Sequence, residues 1–222
     1  MKKFAVIVAG GNGSRMGETI PKQFIELNGR PVLMHTFDAF TKYDKQIEFI
    51  LVLPENQVNY WNELCKKHRF EQKYKLAFGG ETRFHSVKNG LGLINSDGIV
   101  FIHDGVRPLV SVQTLENCFN TTLKKGNALP VIPANESVRV VENGTNRAVD
   151  RSEYFLVQTP QTFQTGLIKK AFKQPFSKLF TDDASVLEKF GEAINLVEGN
   201  RENIKITYPE DIIISELFLT PQ

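Results

Sequence analysis

Arg15 lies within the stretch Gly10-Gly11-Asn12-Gly13-Ser14-Arg15-Met16-Gly17, and Lys22 comes after it, directly following Pro21. Glycines let backbone N–H groups approach phosphate oxygens and form an anion nest. Arg15 and Lys22 add fixed positive charge around a triphosphate, and Pro21 stiffens the approach of Lys22. Two better-known phosphate cradles do not fit. A P-loop needs Gly-Lys followed by Ser or Thr at a helix start, and no such run exists. A dinucleotide fingerprint needs GxGxxG and an acid about twenty residues on, after a second strand. Gly11 and Gly13 match, but the third place is Met16 and Gly17 comes one residue late. The stretch where the acid belongs, residues 31–38, reads as helix. An NAD(P)-dependent oxidoreductase is therefore disfavoured. A plain structural turn, with Arg15 and Lys22 solvated, is the remaining competitor, and the combined spacing argues against it.

The elements that must position this loop are legible as alternating patterns. Apolar, β-branched runs at residues 4–8, 49–53, 75–78 and 99–103 predict strands; residues 32–43, 56–68, 82–93 and 112–124 predict helices, with Ser111 as N-cap of the last. Strands apolar throughout, separated by helices, imply a mostly parallel sheet covered on both faces. The expected fold is a doubly wound, Rossmann-like α/β sandwich. Ligands in such sheets bind beyond the carboxyl ends of the strands, so the loops after Val8, Phe78 and His103 should build the site. The pattern breaks near Pro130. Residues 134–156 alternate on a short period around Asn143-Gly144, a hairpin signal. This hairpin is polar on both sides and marginal alone. It is either packed on its own domain or an arm that grips a second subunit. Further on, residues 181–185 read as a helix start, 194–197 and 204–207 as strands, and Pro209 as the opening of a last helix. No linker interrupts the chain, which predicts one domain over residues 1–222.

Composition narrows the class. The chain has 222 residues, a net charge of +2 and 23% charged residues. That charge is too small and dispersed to point to nucleic acid. The basic run at residues 66–69 reads as a solvated helix face. Cys65 and Cys118 form no CxxC pair or disulfide framework, which suggests a reducing, cytoplasmic setting. Cys65 and His68 alone do not make a metal site. The apolar run after Met1 ends at glycines within a few residues, too short for a signal peptide or a membrane span. The sequon at Asn143 is then a chance match.

The loop together with Pro21-Lys22-Gln23-Phe24 resembles the start of the sugar- and polyol-phosphate cytidylyltransferases. Four further stretches extend the likeness in order along nearly the whole chain. They are Gly79-Gly80-Glu81-Thr82-Arg83-Phe84-His85-Ser86-Val87 and Ile102-His103-Asp104-Gly105-Val106-Arg107-Pro108. Then come Val149-Asp150-Arg151 with Gln158-Thr159-Pro160-Gln161, and Val197-Glu198-Gly199 with Asn203-Ile204-Lys205. The set is most similar to the 2-C-methyl-D-erythritol 4-phosphate branch; the ribitol 5-phosphate branch shares many of the motifs. The resemblance implies transfer of CMP from CTP to 2-C-methyl-D-erythritol 4-phosphate, with release of pyrophosphate, in non-mevalonate isoprenoid biosynthesis.

The resemblance also implies residue roles. Ala9, Gly10, Gly11, Gly13, Arg15 and Lys22 would hold the triphosphate, and Gly79, Gly80 and Ser86 the base. Asp104 would lie near the ribose and a Mg²⁺ or other divalent cation held mostly by phosphates. Arg107 and Lys205 would face the reacting phosphates and the sugar phosphate; Arg15, Lys22 and Lys205 would be catalytic. Ser137, Arg151 and Thr159 would contact the polyol phosphate, with Arg151 and Thr159 reaching a neighbouring subunit's pocket, which favours a homodimer through the arm. Departures from the pattern are Gly105-Val106, where two alanines are usual, Glu136-Ser137 for Asp-Thr, and Arg139 for Lys. The arm changes keep charge or hydroxyl character. His103 reads as a structural residue at a strand end.

Overall fold

The computed structural model describes residues 1–10 and 20–219. Gly11, Gly13 and Arg15, three of the expected phosphate-loop residues, lie outside them. The chain runs β1 (Lys3–Val8), β2 (Glu26–Leu27), β3 (Arg30–Pro31), α1 (Val32–Tyr43), β4 (Glu48–Leu53), α2 (Val58–Lys67), β5 (Tyr74–Phe78), α3 (Arg83–Gly92), β6 (Ile99–Asp104) and α4 (Val112–Lys125). It continues through β7 (Asn127–Pro133), β8 (Arg139–Glu142), β9 (Thr145–Ala148), β10 (Phe155–Val157), β11 (Gln161–Gln164), α5 (Thr165–Ala171), α6 (Asp183–Lys189), β12 (Leu196–Glu198) and α7 (Pro209–Leu219).

The main sheet has the order β10-β7-β11-β6-β1-β4-β5, with β12 on β7. Strands β6, β1, β4 and β5 are parallel neighbours, and β11 enters antiparallel beside β6. The mostly parallel α/β architecture is the expected one. Because successive strand side chains point to opposite faces, each apolar strand serves two cores. Ala5, Ile7, Phe49, Leu51 and Phe101 pack under α1, α2 and α4. Phe4, Val6, Ile50, Val52, Val100 and Ile102 pack under α3, α5 and α6. This alternation continues past the core. At the end of β6, His103 falls on the α1 side, its ring 5.0 Å from Phe40. Asp104 falls on the α3 side, where the first residue of α3 is Arg83.

Local chemistry sets the helix starts. Thr82 and Ser111 accept N-cap hydrogen bonds at α3 and α4, and Asp182 with Ser185 forms a capping box at α6. The hairpin turn stands at Asn143-Gly144, both at positive φ, between β8 and β9. One sequence expectation fails: residues 204–207 form no strand. The Ile204–Ile206 alternation instead seats Ile206 in a small cluster with Leu27, Val32 and Val106. Only the Ile206 N–H reaches Val106 O, at 2.9 Å. The strands β7, β10 and β11 were not anticipated, because prolines and isolated polar residues obscure their runs.

Candidate active site

Three strand ends converge as the sheet geometry requires. After β1, Ala9 N–H donates to Val52 O at 2.9 Å. The buried Gln23 donates to Ala9 O at 2.9 Å and to Gln57 Oε1 at 2.6 Å. Gln23 thereby ties its own turn to the end of β1, and this brings Lys22 beside Ala9. After β5, Gly79 N–H donates to Leu53 O at 2.8 Å. Gly80 N–H donates to Ser86 Oγ at 3.0 Å, and Ser86 Oγ donates to Thr82 O at 3.0 Å. A Cβ on Gly80 would stand 2.4 Å from His85 Cβ, so the tight turn admits no side chain there. A Cβ on Gly10 would lie 3.7 Å from Ser86 Oγ, which puts the β1 and β5 loops side by side.

At the end of β6, the Asp104 carboxylate is almost buried and faces three cations. Lys205 Nζ is 2.9 Å from Oδ2, Arg107 Nε 3.5 Å from Oδ2, and Arg83 Nε 3.6 Å from Oδ1. Burial alone would raise the Asp104 pKa; the charges of Arg83, Lys205 and Arg107 outweigh it and hold the carboxyl well below the ordinary range. Arg107 is in turn fixed by donation from Nη1 to Asn203 O at 2.7 Å. Burial lowers the Arg107 pKa, with Asp104 opposing.

Two clefts meet at this carboxylate. One, of about 230 Å³, is lined by Ala9, Gly10, Lys22, Arg83, Asp104 and Lys205 among others. The second, of about 310 Å³, shares Arg83, Asp104 and Lys205 and adds Arg107 and residues of the 157–161 stretch. Lys22 and Lys205, from opposite ends of the chain, thus face one cavity.

The remaining expected residues divide. Thr159 is buried within its own chain; it accepts from Asp104 N–H at 3.1 Å, and its oxygen is 3.1 Å from His103 Nδ1. Ser137 and Arg151 are exposed on the arm, with Arg151 donating to Asn135 O at 2.6 Å, and neither lines these clefts. Sequence reasoning gave no role to Arg83, Asp183 or Gln23, although each sits in a stretch it singled out. For Arg83 the available signal was its place at the start of a helix after a strand end that faces ligand.

His103 serves structure. Its ring is fully buried; Nε2–H donates to Arg107 O at 2.9 Å, and Nδ1 accepts from Thr159. Burial, only partly opposed by the Arg107 carbonyl and Asp104, lowers its pKa from 6.5 to about 4. The folded state therefore binds fewer protons than the unfolded chain between these values. The stabilisation is complete above about pH 6.5 and is lost as pH falls towards 4, by about 3 kcal/mol. Urea unfolding at pH 7 and pH 4.5 should show this loss, and His103→Gln should flatten the difference.

The 2-C-methyl-D-erythritol 4-phosphate cytidylyltransferase of Bacteroides fragilis is 51% identical over 99% of this chain and 100% of its own length. A solved 4-diphosphocytidyl-2C-methyl-D-erythritol synthase from Anaerococcus prevotii superposes with a TM-score of 0.82 at 28% identity, covering 98% of each chain. The Francisella tularensis 2-C-methyl-D-erythritol 4-phosphate cytidylyltransferase gives 0.82 at 30% identity, over 99% of this chain and 100% of that one. Over residues 4–221 the chain matches the model of the 2-C-methyl-D-erythritol 4-phosphate cytidylyltransferases, and it belongs to that family.

Proposed function

We infer that this chain transfers CMP from CTP to 2-C-methyl-D-erythritol 4-phosphate. A phosphate oxygen of the acceptor attacks the α-phosphorus of CTP and forms the new P–O bond. The bond from that phosphorus to the bridging oxygen breaks, and its electron pair leaves with pyrophosphate. A phosphate monoester has a second pKa of about 6, so the nucleophile is already largely ionised at neutral pH and needs no general base. The sealed position of His103 accords with this. The difficulty is the repulsion between an anionic nucleophile and a polyanionic triphosphate, which fixed cations must offset.

One observation carries the reading: two clefts share a wall made of Arg83, Asp104 and Lys205. The glycine-loop cleft, with Lys22, suits the triphosphate. The cleft with Arg107 suits the acceptor phosphate. Lys205 stands between them. The resemblance assigns Arg15, Gly11 and Gly13, which lie outside the described residues, to the same triphosphate. A hard divalent cation fits this donor set. Among the described residues no three His, Cys, Asp or Glu side chains form a cage, and Mg²⁺ commonly uses one or two carboxylates with phosphate oxygens and water. Asp104 would hold it, and when bound it would neutralise charge on phosphate oxygens.

The assay is pyrophosphate release with CTP, Mg²⁺ and each polyol phosphate in turn. Turnover with 2-C-methyl-D-erythritol 4-phosphate, and at least about tenfold less with ribitol 5-phosphate, a discrimination of about 1.4 kcal/mol, is the expected result. The reverse preference would overturn the acceptor assignment.

The same reading treats the chain as one catalytic domain with residues 134–156 as a dimer arm. Its support is the exposed apolar set Val141, Phe155, Leu156 and Val157 on and beside a hairpin with little core of its own. Replacing residues 136–149 with a short Gly-Ser link should yield a monomer by sedimentation. That variant should bind CTP normally and lose acceptor turnover. A dimer of unchanged mass would refute the arm. A cytoplasmic location accords with the two free cysteines. No helix among the described residues is long and apolar enough to cross a membrane.

A further inference from the structure

Asp183 is a buried carboxylate with no part in the reaction outlined above. It opens α6, its side chain is 1% exposed, and it takes both terminal nitrogens of Arg83: Nη1 to Oδ1 and Nη2 to Oδ2, each at 2.7 Å. Its neighbourhood is held firmly. Gln161 donates to Asp182 Oδ2 at 2.8 Å and accepts from Ala184 N–H at 2.7 Å, so the α6 start is pinned to β11, the strand beside β6. Arg83 lines both clefts. One guanidinium thus stands between two carboxylates, Asp183 and Asp104. A guanidinium prefers a two-point grip on a single carboxylate. Here the grip falls on Asp183, with both contacts at 2.7 Å, and the ion pair with Asp104 is longer, Nε standing 3.6 Å from Oδ1.

We propose that Asp183 is a positioning residue for the transfer: it engages the fork of Arg83 and so leaves the Asp104 carboxylate to Lys205 and the nucleotide. This rests on the reading of Asp104 and Lys205 given above. A buried ion pair is weak evidence of a stability device, since apolar replacements are often as stable. Its place at the wall between the clefts supplies the other reason for it. Without Asp183, the Arg83 fork turns onto Asp104, competes with Lys205 and carries its own charge away from the position it now holds.

The test is a cycle of Asp183→Asn, Arg83→Gln and the double variant, with kcat, the KM for CTP, and thermal midpoints with and without CTP. Asp183→Asn should lower kcat per folded molecule by about 10- to 100-fold and move the KM for CTP by less than about threefold. A purely structural role would lower the midpoint and leave kcat per folded molecule intact. The double variant should be no slower than Arg83→Gln, because Asp183 acts only through Arg83. Asp183→Glu, which keeps the charge, should recover part of the rate. A kcat for Asp183→Asn within twofold of the parent, or losses that multiply in the double variant, would overturn the proposal. If Asp183→Asn does not fold, Arg83→Lys replaces it: charge is kept, the two-point grip is not, and a parental kcat would be equally fatal. Lys205→Ala is the control. Loss of turnover there with a fully active Asp183→Asn sinks this inference alone; full turnover there sinks the reading of the site as well.

Discussion

Lys205→Ala lowers kcat by about 100- to 1,000-fold, the usual cost of removing one preorganised group that meets developing charge, while the fold persists. The two halves of this expectation rest on different parts of the residue. The backbone around it is anchored independently: Ile206 N–H bonds Val106 O at 2.9 Å, and Ile206 is buried. The Lys205 side chain is 43% exposed, so its pairing with Asp104 at 2.9 Å adds little to stability. Its worth lies in position. It stands on the wall common to both clefts, where the proposed reaction would bring an incoming phosphate to the α-phosphate. Steady-state kinetics and a thermal melt on the same preparation check both halves. Turnover within tenfold of the parent at saturating substrates would remove Lys205 from the reaction. Lys22→Ala should behave alike in turnover, since Lys22 lines the same cleft from the β1 side.

Much of this arrangement was legible beforehand because the central strands are simple. Residues such as Val6, Ile50 and Ile102 are apolar with no polar interruption, and a strand buried on both faces demands that. Once the parallel sheet is granted, the loops after Val8, Phe78 and His103 have to meet; the family resemblance, not chain position, singled out Ser86 and Asp104 there, and Lys22 was legible from its spacing after the glycines. The antiparallel additions were hidden. β7 runs through Pro130 and begins at Asn127, whose side chain donates to Ala193 O at 2.9 Å and accepts from Asn195 N–H at 2.9 Å. A polar residue satisfied by a distant segment looks like a loop residue in one dimension. The misread strand at 204–207 is the converse error: an alternation produced by one buried isoleucine beside a lysine that must stay at the cleft.

The Arg83–Asp183 pair was hidden for a related reason. Arginine at a helix start and aspartate in a first helical turn each have an ordinary local explanation, a solvated side chain and a favourable dipole contact. Only the packing of α3 and α6 on the same face of the sheet shows that each residue is the other's partner. Gln23 was passed over in the same way. Between Lys22 and Phe24 it reads as filler, yet it ties the Lys22–Phe24 turn to the end of β1 through Ala9 O.

Asp104→Asn gives the larger and more discriminating result: turnover falls by about 1,000-fold or more, while pyrophosphate without metal binds about tenfold tighter. The two effects have opposite sign because Asp104 does two things. Around it stand Arg83, Arg107 and Lys205, with Lys22 across the cleft and Asp183 on the far side of Arg83. The asparagine removes one negative charge from this group and makes its field more positive by one unit. One added charge at about 5 Å and an effective dielectric near 20 is worth about 3 kcal/mol, reduced by solvent to a tenfold change or so. A free anion gains from that surplus. The reaction does not, because the carboxylate that orders Lys205 and Arg107, and that would hold the divalent cation, is gone. Stability should fall by about 3 kcal/mol without ligand, since the cations lose their buried partner, and pyrophosphate should restore much of it. The carboxyl is held ionised far below neutrality, so its contribution is present above the usual carboxylate pKa and is lost only as pH falls through a strongly depressed value. The contrast between parent and variant should therefore stay constant from pH 6 to pH 9. Calorimetric titration with pyrophosphate, alongside turnover, decides it: weaker anion binding in the variant would mean that the three cations do not share one field around this carboxylate.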